Sequence, residues 1–397
     1  MINPSAAGWI DKYFLKANPS GFEVSSPETY YLKVRDTGFI YGHVVSLNGI
    51  LVNSGLGWTR DEISKVALLE SLYGLYVSVI GKKDPQDFIS KAIDFYKSMG
   101  SQGFSLFRNM FGSKPSSTLE EIIDDRVQTN HDIISRNFSH IVTNALLFID
   151  VLAFQHFLEK ERDPRGYLQK MEEIINSVVS LALKAKVAYS DHDEMLIRLF
   201  EASVRYGKFS GKSSQSLDNL DFSSFQLPLE KFYLIDIAGL VLWRDQEISN
   251  DEVYFLQKLA ELLNLNDEYV SKSIRDTDDF IQRHHDEIPY FNYSHPVKHF
   301  YDNLTQTVIL LIKRNTKRLT KEISQNKELM MLLAKSATRD LNAVEKKKVK
   351  SQLLEICKTV PALSIFLLPG GSLLLPILIK FIPQLLPAAF NENIQEE

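Results

Sequence analysis

A chain of 397 residues, 44% hydrophobic and 24% charged, has an ordinary globular composition. It is long enough for two or three units, because a single core stops growing at about 250–300 residues. The formal net charge of −5 argues against a protein built mainly to grip nucleic acid, so no direct nucleic-acid partner is expected. The single cysteine, Cys357, excludes an intramolecular disulfide, fits a reducing compartment and leaves any structural zinc site to histidine and carboxylate ligands.

Residues 1–13 carry one base, Lys12, directly beside Asp11, and no long apolar run, so neither a secretory signal nor an arginine-rich transit peptide is visible and a cytoplasmic start is expected. Further along, apolar residues recur at helical spacing in residues 63–79, 141–158, 168–187, 234–243, 253–265 and 304–323, whereas alternating strand patterns are short and isolated. The predicted fold class is all-α. Ser26-Pro27-Glu28 and Asp84-Pro85 read as helix entries with proline in the first turn, and Ser249 followed by Glu252 as a capping box. Residues 100–117 and 207–224, rich in glycine and serine, read as breaks. These signals divide the chain into an N-terminal helical region (1–115), a central helical unit (118–206), a third helical unit (228–300), a basic amphipathic helical arm (301–358) and a hydrophobic segment (359–390).

Most enzyme signatures are missing. Gly207-Lys208-Phe209-Ser210-Gly211-Lys212-Ser213 has three residues between its glycines where a phosphate-binding loop needs four, and it follows a helix rather than a strand. No dinucleotide fingerprint, paired-histidine zinc helix or nucleophile elbow is present. A non-enzymatic protein without a cofactor is therefore expected. His284, His285, Asp286, Glu287, His295 and His299 lie close together and offer imidazole and carboxylate ligands. Pro289 and Pro296 make the same region a loop and a helix start, where polar side chains are usually solvated or capping, and this is the preferred reading.

Asp245, Glu247, Asp251 and Glu252 form an acidic cluster between two amphipathic patterns, the kind of turn that can hold a hard cation. Acids in a first helical turn also simply complement the helix dipole. Ile235-Asp236-Ile237-Ala238-Gly239-Leu240, then Asp245-Gln246-Glu247-Ile248-Ser249 and Glu252, resemble the TerB-like helical domain of tellurite-resistance proteins across about residues 228–285, with Gln246 where that family usually has glycine. The resemblance implies a metal site at Asp245, Glu247 and Glu252, or a protein-binding sensory module anchored by the C-terminal end.

Residues 313–350 contain twelve Lys and Arg against four Asp and Glu, a balance of +8, so the rest of the chain sums to −5 − 8 = −13. The bases include Lys313, Arg314, Lys317, Arg318, Lys346, Lys347, Lys348 and Lys350. Residues 361–390 follow, 30 residues whose one charge is Lys380. About 20 apolar residues cross a bilayer core as a helix, so this segment is long enough to do so with a break or tilt. A basic flank before it and an acidic one after it predict an inner-membrane protein with the bulk of the chain in the cytoplasm.

Pro361, Pro369, Pro376, Pro383 and Pro387 recur within the run at spacings of 8, 7, 7 and 4, and Gly370-Gly371 adds a break. Each proline removes an amide donor, so a kinked segment rather than a straight anchor is expected. Lys380 at mid-span costs about 2.5–3.5 kcal/mol unless it reaches water, the interface or an acid in a homo-oligomer. A buried hairpin of a water-soluble fold is the competing reading.

Leu353-Leu354, Cys357, Val360-Pro361, Pro369, Leu374-Leu375-Pro376, Lys380-Phe381, Pro383 and Leu385-Leu386-Pro387-Ala388-Ala389-Phe390 resemble the LETM family, the leucine-zipper and EF-hand containing transmembrane proteins of the mitochondrial inner membrane, and their bacterial relatives. All five prolines and Lys380 are in register with the family pattern, while Ser372 stands where mitochondrial members carry an acid. The layout is similar to bacterial members described as biofilm-associated. The resemblance implies membrane lipid as a partner and a role in cation or proton homeostasis or membrane organisation; ribosome binding, assigned in mitochondrial members to a soluble domain beyond this segment, is implied by the family alone and by no matching residue here.

Overall fold

The computed structural model describes residues 2–16, 26–47, 50–51, 57–99, 114–127, 145–160, 164–185, 216–243, 250–284, 287–288, 296–339, 341–359, 363 and 379. These form thirteen α-helices, two 3-10 turns and one two-stranded antiparallel hairpin, so the protein is all-α. The helices fall into two compact units, the first spanning most of residues 1–291 and the second drawn chiefly from 292–397.

The first unit contains α1 (Trp9–Lys16), α2 (Pro27–Asp36), the hairpin β1 (Ser46–Leu47) and β2 (Ile50–Leu51), and then α3 (Arg60–Ile80), α4 (Pro85–Ser98) and α5 (Pro115–Val127). It continues with α6 (Phe148–Lys160), α7 (Pro164–Ala185), α8 (Pro228–Leu242), α9 (Asn250–Leu262) and α10 (Asp267–His284). Local chemistry sets several of these boundaries. Ser26 Oγ accepts from the Thr29 amide at 3.1 Å with Pro27 in the first turn of α2, and Asp84 Oδ1 accepts from the Gln86 and Asp87 amides at 2.9 and 3.2 Å ahead of α4. At the end of α9, Asn264 takes a left-handed φ of 54°, which lets the Leu265 amide reach back to the Ala260 carbonyl at 2.9 Å. Helix α1 depends on a distant partner: Glu120 of α5 accepts from the Gly8 and Ile10 amides at 2.9 and 2.8 Å.

Two helices form the centre of this unit. In α8 every residue from Leu229 to Leu242 except Lys231 is buried, as expected for a helix that is apolar on all sides. It packs against α2, α7, α9 and α10, while α3 packs against α2, α4, α5 and α6. Among the described residues α3 is the one helix long and apolar enough to cross a membrane, and most of its length is buried as a core helix is.

Charged groups inside the unit are matched in pairs. Asp236 of α8 receives hydrogen bonds from the hydroxyls of Tyr31, at 2.7 Å, and Ser273, and its Oδ2 lies 3.5 Å from Arg35 Nη1. Asp150 of α6 accepts from Arg126 Nε of α5 at 2.6 Å and from the Tyr96 hydroxyl at 3.1 Å. Glu230 of α8 sits 2.6 Å from His156 Nε2 of α6 and accepts from the Leu227 amide at 2.8 Å.

The second unit consists of α11 (Pro296–Gln325), α12 (Lys327–Thr338) and α13 (Ala343–Thr359), each packed on the other two. Its core includes Val308, Ile312, Leu319 and Ile323 of α11, Leu329 and Leu333 of α12, and Val349, Leu353 and Cys357 of α13. Asn326 Oδ1 accepts from the Leu329 amide at 3.0 Å and starts α12. Asn342 and Glu345 start α13 with a reciprocal capping box, two amide-to-side-chain bonds of 2.9 Å each.

Candidate functional site

The basic residues of the second unit lie on the faces its core leaves outside. In α11 the apolar set Val308, Ile312, Leu319 and Ile323 turns inward, so Lys313 and Lys317, four apart, share an outer face that continues to Lys321, all three exposed. A second row runs beside it, with Arg314 half-buried and Arg318 exposed. In α13, Val349, Leu353 and Cys357 occupy the core, while Lys346, Lys347, Lys348 and Lys350 are all exposed.

Some of this charge is neutralised within the unit. Lys348 of α13 donates to Glu328 of α12 at 2.6 Å, and Gln352 donates to the other oxygen of the same carboxylate at 2.9 Å, which holds the Glu328 carboxyl below the usual range. Arg339 makes a two-pronged bond to Glu345, at 2.6 and 2.9 Å. That guanidinium, followed by the Asn342 amide, holds the Glu345 carboxyl down to about 2. Lys346, Lys347 and Lys350 have no carboxylate partner among the described residues. Like charges four apart on a helix repel, each pair costing about 0.2–0.5 kcal/mol, so such rows gain from an external anion. Cys357 is buried, and burial pushes its thiol up to about 12, so it behaves as a small apolar core residue rather than a nucleophile.

The other sequence-selected residues are distributed unevenly. Of the apolar segment, only Leu363, buried in the core of the second unit, and Ile379, packed against it, are described; Pro361, Pro369, Gly370, Gly371, Pro376, Lys380, Pro383, Pro387 and Phe390 lie outside the described residues. Asp245 and Glu247 also lie outside them, while Glu252 is buried in the first turn of α9. Of the histidine-rich stretch, His284 and Glu287 are brought together with a residue the sequence reading did not select, His43. His43 precedes Glu287 by 244 residues, so no local spacing could have revealed it. Asp236, quoted within the TerB-like resemblance, is the hub of a buried hydrogen-bond network.

No curated protein and no solved structure matches the chain. Residues 341–397 match the family described as LETM1-like, RBD. The match begins at the capping box of α13 and runs through the proline-bearing apolar segment, so it falls on the stretch assigned on sequence to the membrane rather than beyond it.

Proposed function

We propose that this is a non-enzymatic, LETM-like membrane protein, held at the cytoplasmic face of an inner membrane by residues 361–390, with the exposed bases of α11 and α13 resting on anionic lipid. The observation that carries this reading is the coincidence, inside one family match, of α13 lysines that have no carboxylate partner among the described residues with an apolar run that follows them and has Lys380 as its one charge. Each base near an anionic surface contributes about 1 kcal/mol, and the contribution falls with salt. A role in membrane organisation or cation homeostasis, of the biofilm-associated type, rests on the LETM resemblance. With Ser372 in place of the family's acid and Lys380 as the one ionisable group of the run, any ion pathway would centre on Lys380 in an oligomer.

The family matched by residues 341–397, the LETM1-like ribosome-binding domain, supports a second reading in which the same bases face the ribosome. Two measurements separate the readings. Membranes from expressing cells are washed at high salt, and the full-length protein is expected to stay with them; release into the soluble fraction would overturn membrane attachment. Full-length protein in vesicles with or without anionic lipid is then compared with a Lys346→Gln, Lys347→Gln, Lys350→Gln variant for co-sedimentation with ribosomes. Salt-sensitive ribosome binding lost in the variant would assign the bases to the ribosome instead of the lipid.

A further inference from the structure

The first unit carries a cluster that the proposed membrane role does not use. His43 follows the 3-10 turn Phe39–Tyr41, His284 is the last residue of α10, and Glu287 stands just beyond it. One ligand atom from each lies within 4.8 Å of the other two. His43 Nε2 is 3.4 Å from Glu287 Oε2, and His284 Nδ1 is 3.6 Å from Glu287 Oε1. Charge-assisted hydrogen bonds between such groups settle near 2.7–2.9 Å, so the His43–Glu287 hydrogen bond is a long one and the His284–Glu287 separation is longer still. They are instead close to the edge of a tetrahedron, since nitrogen and oxygen donors bound at about 2.0–2.1 Å to one ion sit roughly 3.3 Å apart.

A second observation points the same way. His284 Nδ1 is buried and has no hydrogen-bond partner. A buried, unsatisfied nitrogen 3.6 Å from a carboxylate oxygen and near a second imidazole nitrogen has a lone pair available for a ligand that all three groups can share. The surroundings are built to keep these donors in place. Gly38, at φ +78°, and Gly42, at φ +73°, bracket the turn before His43, and the His43 amide donates to the Gly38 carbonyl at 3.2 Å. A Cβ at Gly38 would collide with the His43 carbonyl oxygen and with the Phe280 ring, so glycine is needed there on two grounds. Phe280 also lies 5.0 Å from the His284 ring and 6.5 Å from the His43 ring, giving the site an apolar wall. Arg60 Nη2 is 3.9 Å from Glu287 Oε2 and steadies the carboxylate from outside, the support that ligating carboxylates commonly receive.

We propose that His43 Nε2, His284 Nδ1 and the Glu287 carboxylate bind a divalent transition-metal ion. Zinc suits two imidazoles and one carboxylate, with water in the fourth position; calcium and magnesium prefer all-oxygen sets and are disfavoured by the imidazoles. The ion would tie the end of α10 to the turn after α2, a link across the sequence within the first unit. The site is independent of the basic face of α11–α13.

The test uses purified full-length protein in detergent, stripped by a chelator and titrated with Zn2+ by calorimetry, with bound metal counted by elemental analysis. One ion per chain is expected, and His284→Gln and Glu287→Gln should each weaken binding by at least about tenfold while leaving helical circular dichroism unchanged. Co2+ added to the unsubstituted protein should give the visible absorption of a tetrahedral nitrogen and oxygen site, a readout that depends on no variant folding. Absence of stoichiometric binding, or binding unaltered in both variants, would overturn the proposal.

Discussion

In the first unit the carboxylates of Asp150, Glu230 and Asp236 are almost wholly buried, and each meets an arginine or histidine from another helix. In α11–α13 the ion pairs Lys348–Glu328, Arg339–Glu345 and Lys358–Glu355 lie toward the surface, and among the described side chains there no charged residue is buried. The difference separates two uses of charge. A buried pair adds little net stability over an apolar pair, but it is strongly destabilising to break, because the survivor is left charged and unsolvated. It therefore ties particular helices to one another. An exposed pair contributes at most about 1 kcal/mol and leaves its neighbours free to act on a partner outside the molecule. The first unit spends its buried ions on arrangement, whereas the second keeps an apolar core and shows its bases to the exterior.

The largest effect expected from breaking this contrast is at Asp236. Asp236→Ala orphans the buried hydroxyls of Tyr31 and Ser273 and leaves buried Arg35 with Asp276 as its remaining carboxylate, and a loss of about 3–5 kcal/mol is expected in the first unit. Hydrogen exchange of the full-length protein should report lost protection in α2, α8 and α10. Equal loss throughout the chain would show instead that the two units unfold together. Next comes Leu353→Ala, which truncates the buried centre of the α11–α13 core and should cost about 2–5 kcal/mol, read as lost protection in those helices.

The smallest effect concerns pH. The folded-state pKa of Glu345 is depressed to about 2, so its contribution is fully present above the ordinary carboxylate value near 4.5 and is lost as pH falls from there toward 2. Glu345→Gln should remove that portion of the acid dependence of α13 helicity, measured by circular dichroism or amide exchange at pH 6 and pH 3. An unchanged acid profile would show that the Arg339 bond does not hold the start of α13 in solution.

How far the sequence could be read varies from element to element. The helical stretches 63–79, 168–187, 234–243, 253–265 and 304–323 each fall on a helix, because burying one face leaves a periodic record that any short window contains. Ser26 and Asp84 cap helices as their spacing indicates, since a cap and the amides it serves are only two or three residues apart. The short hairpin went unpredicted even though Asn48-Gly49, the dipeptide that favours such turns, stands between its strands; each strand is two residues long, too short for an alternating pattern. The cap of α1 by Glu120 left no local trace at all.

Composition and local order alone determined that this protein is all-α, that its base-rich helices are amphipathic, and that an apolar, proline-punctuated run with the single charge Lys380 follows them, since periodicity, capping and net charge are properties of neighbouring residues. Which carboxylate meets Arg35, why Asp236 tolerates burial, and that His43 stands beside His284 and Glu287 were decided only when the chain folded. The contacts of Arg35 and Tyr31 with Asp236, and of His43 with Glu287 at a separation of 244, join residues more than two hundred positions apart, and a pairing at that range is set by how helices pack and not by any repeat the chain carries along its length.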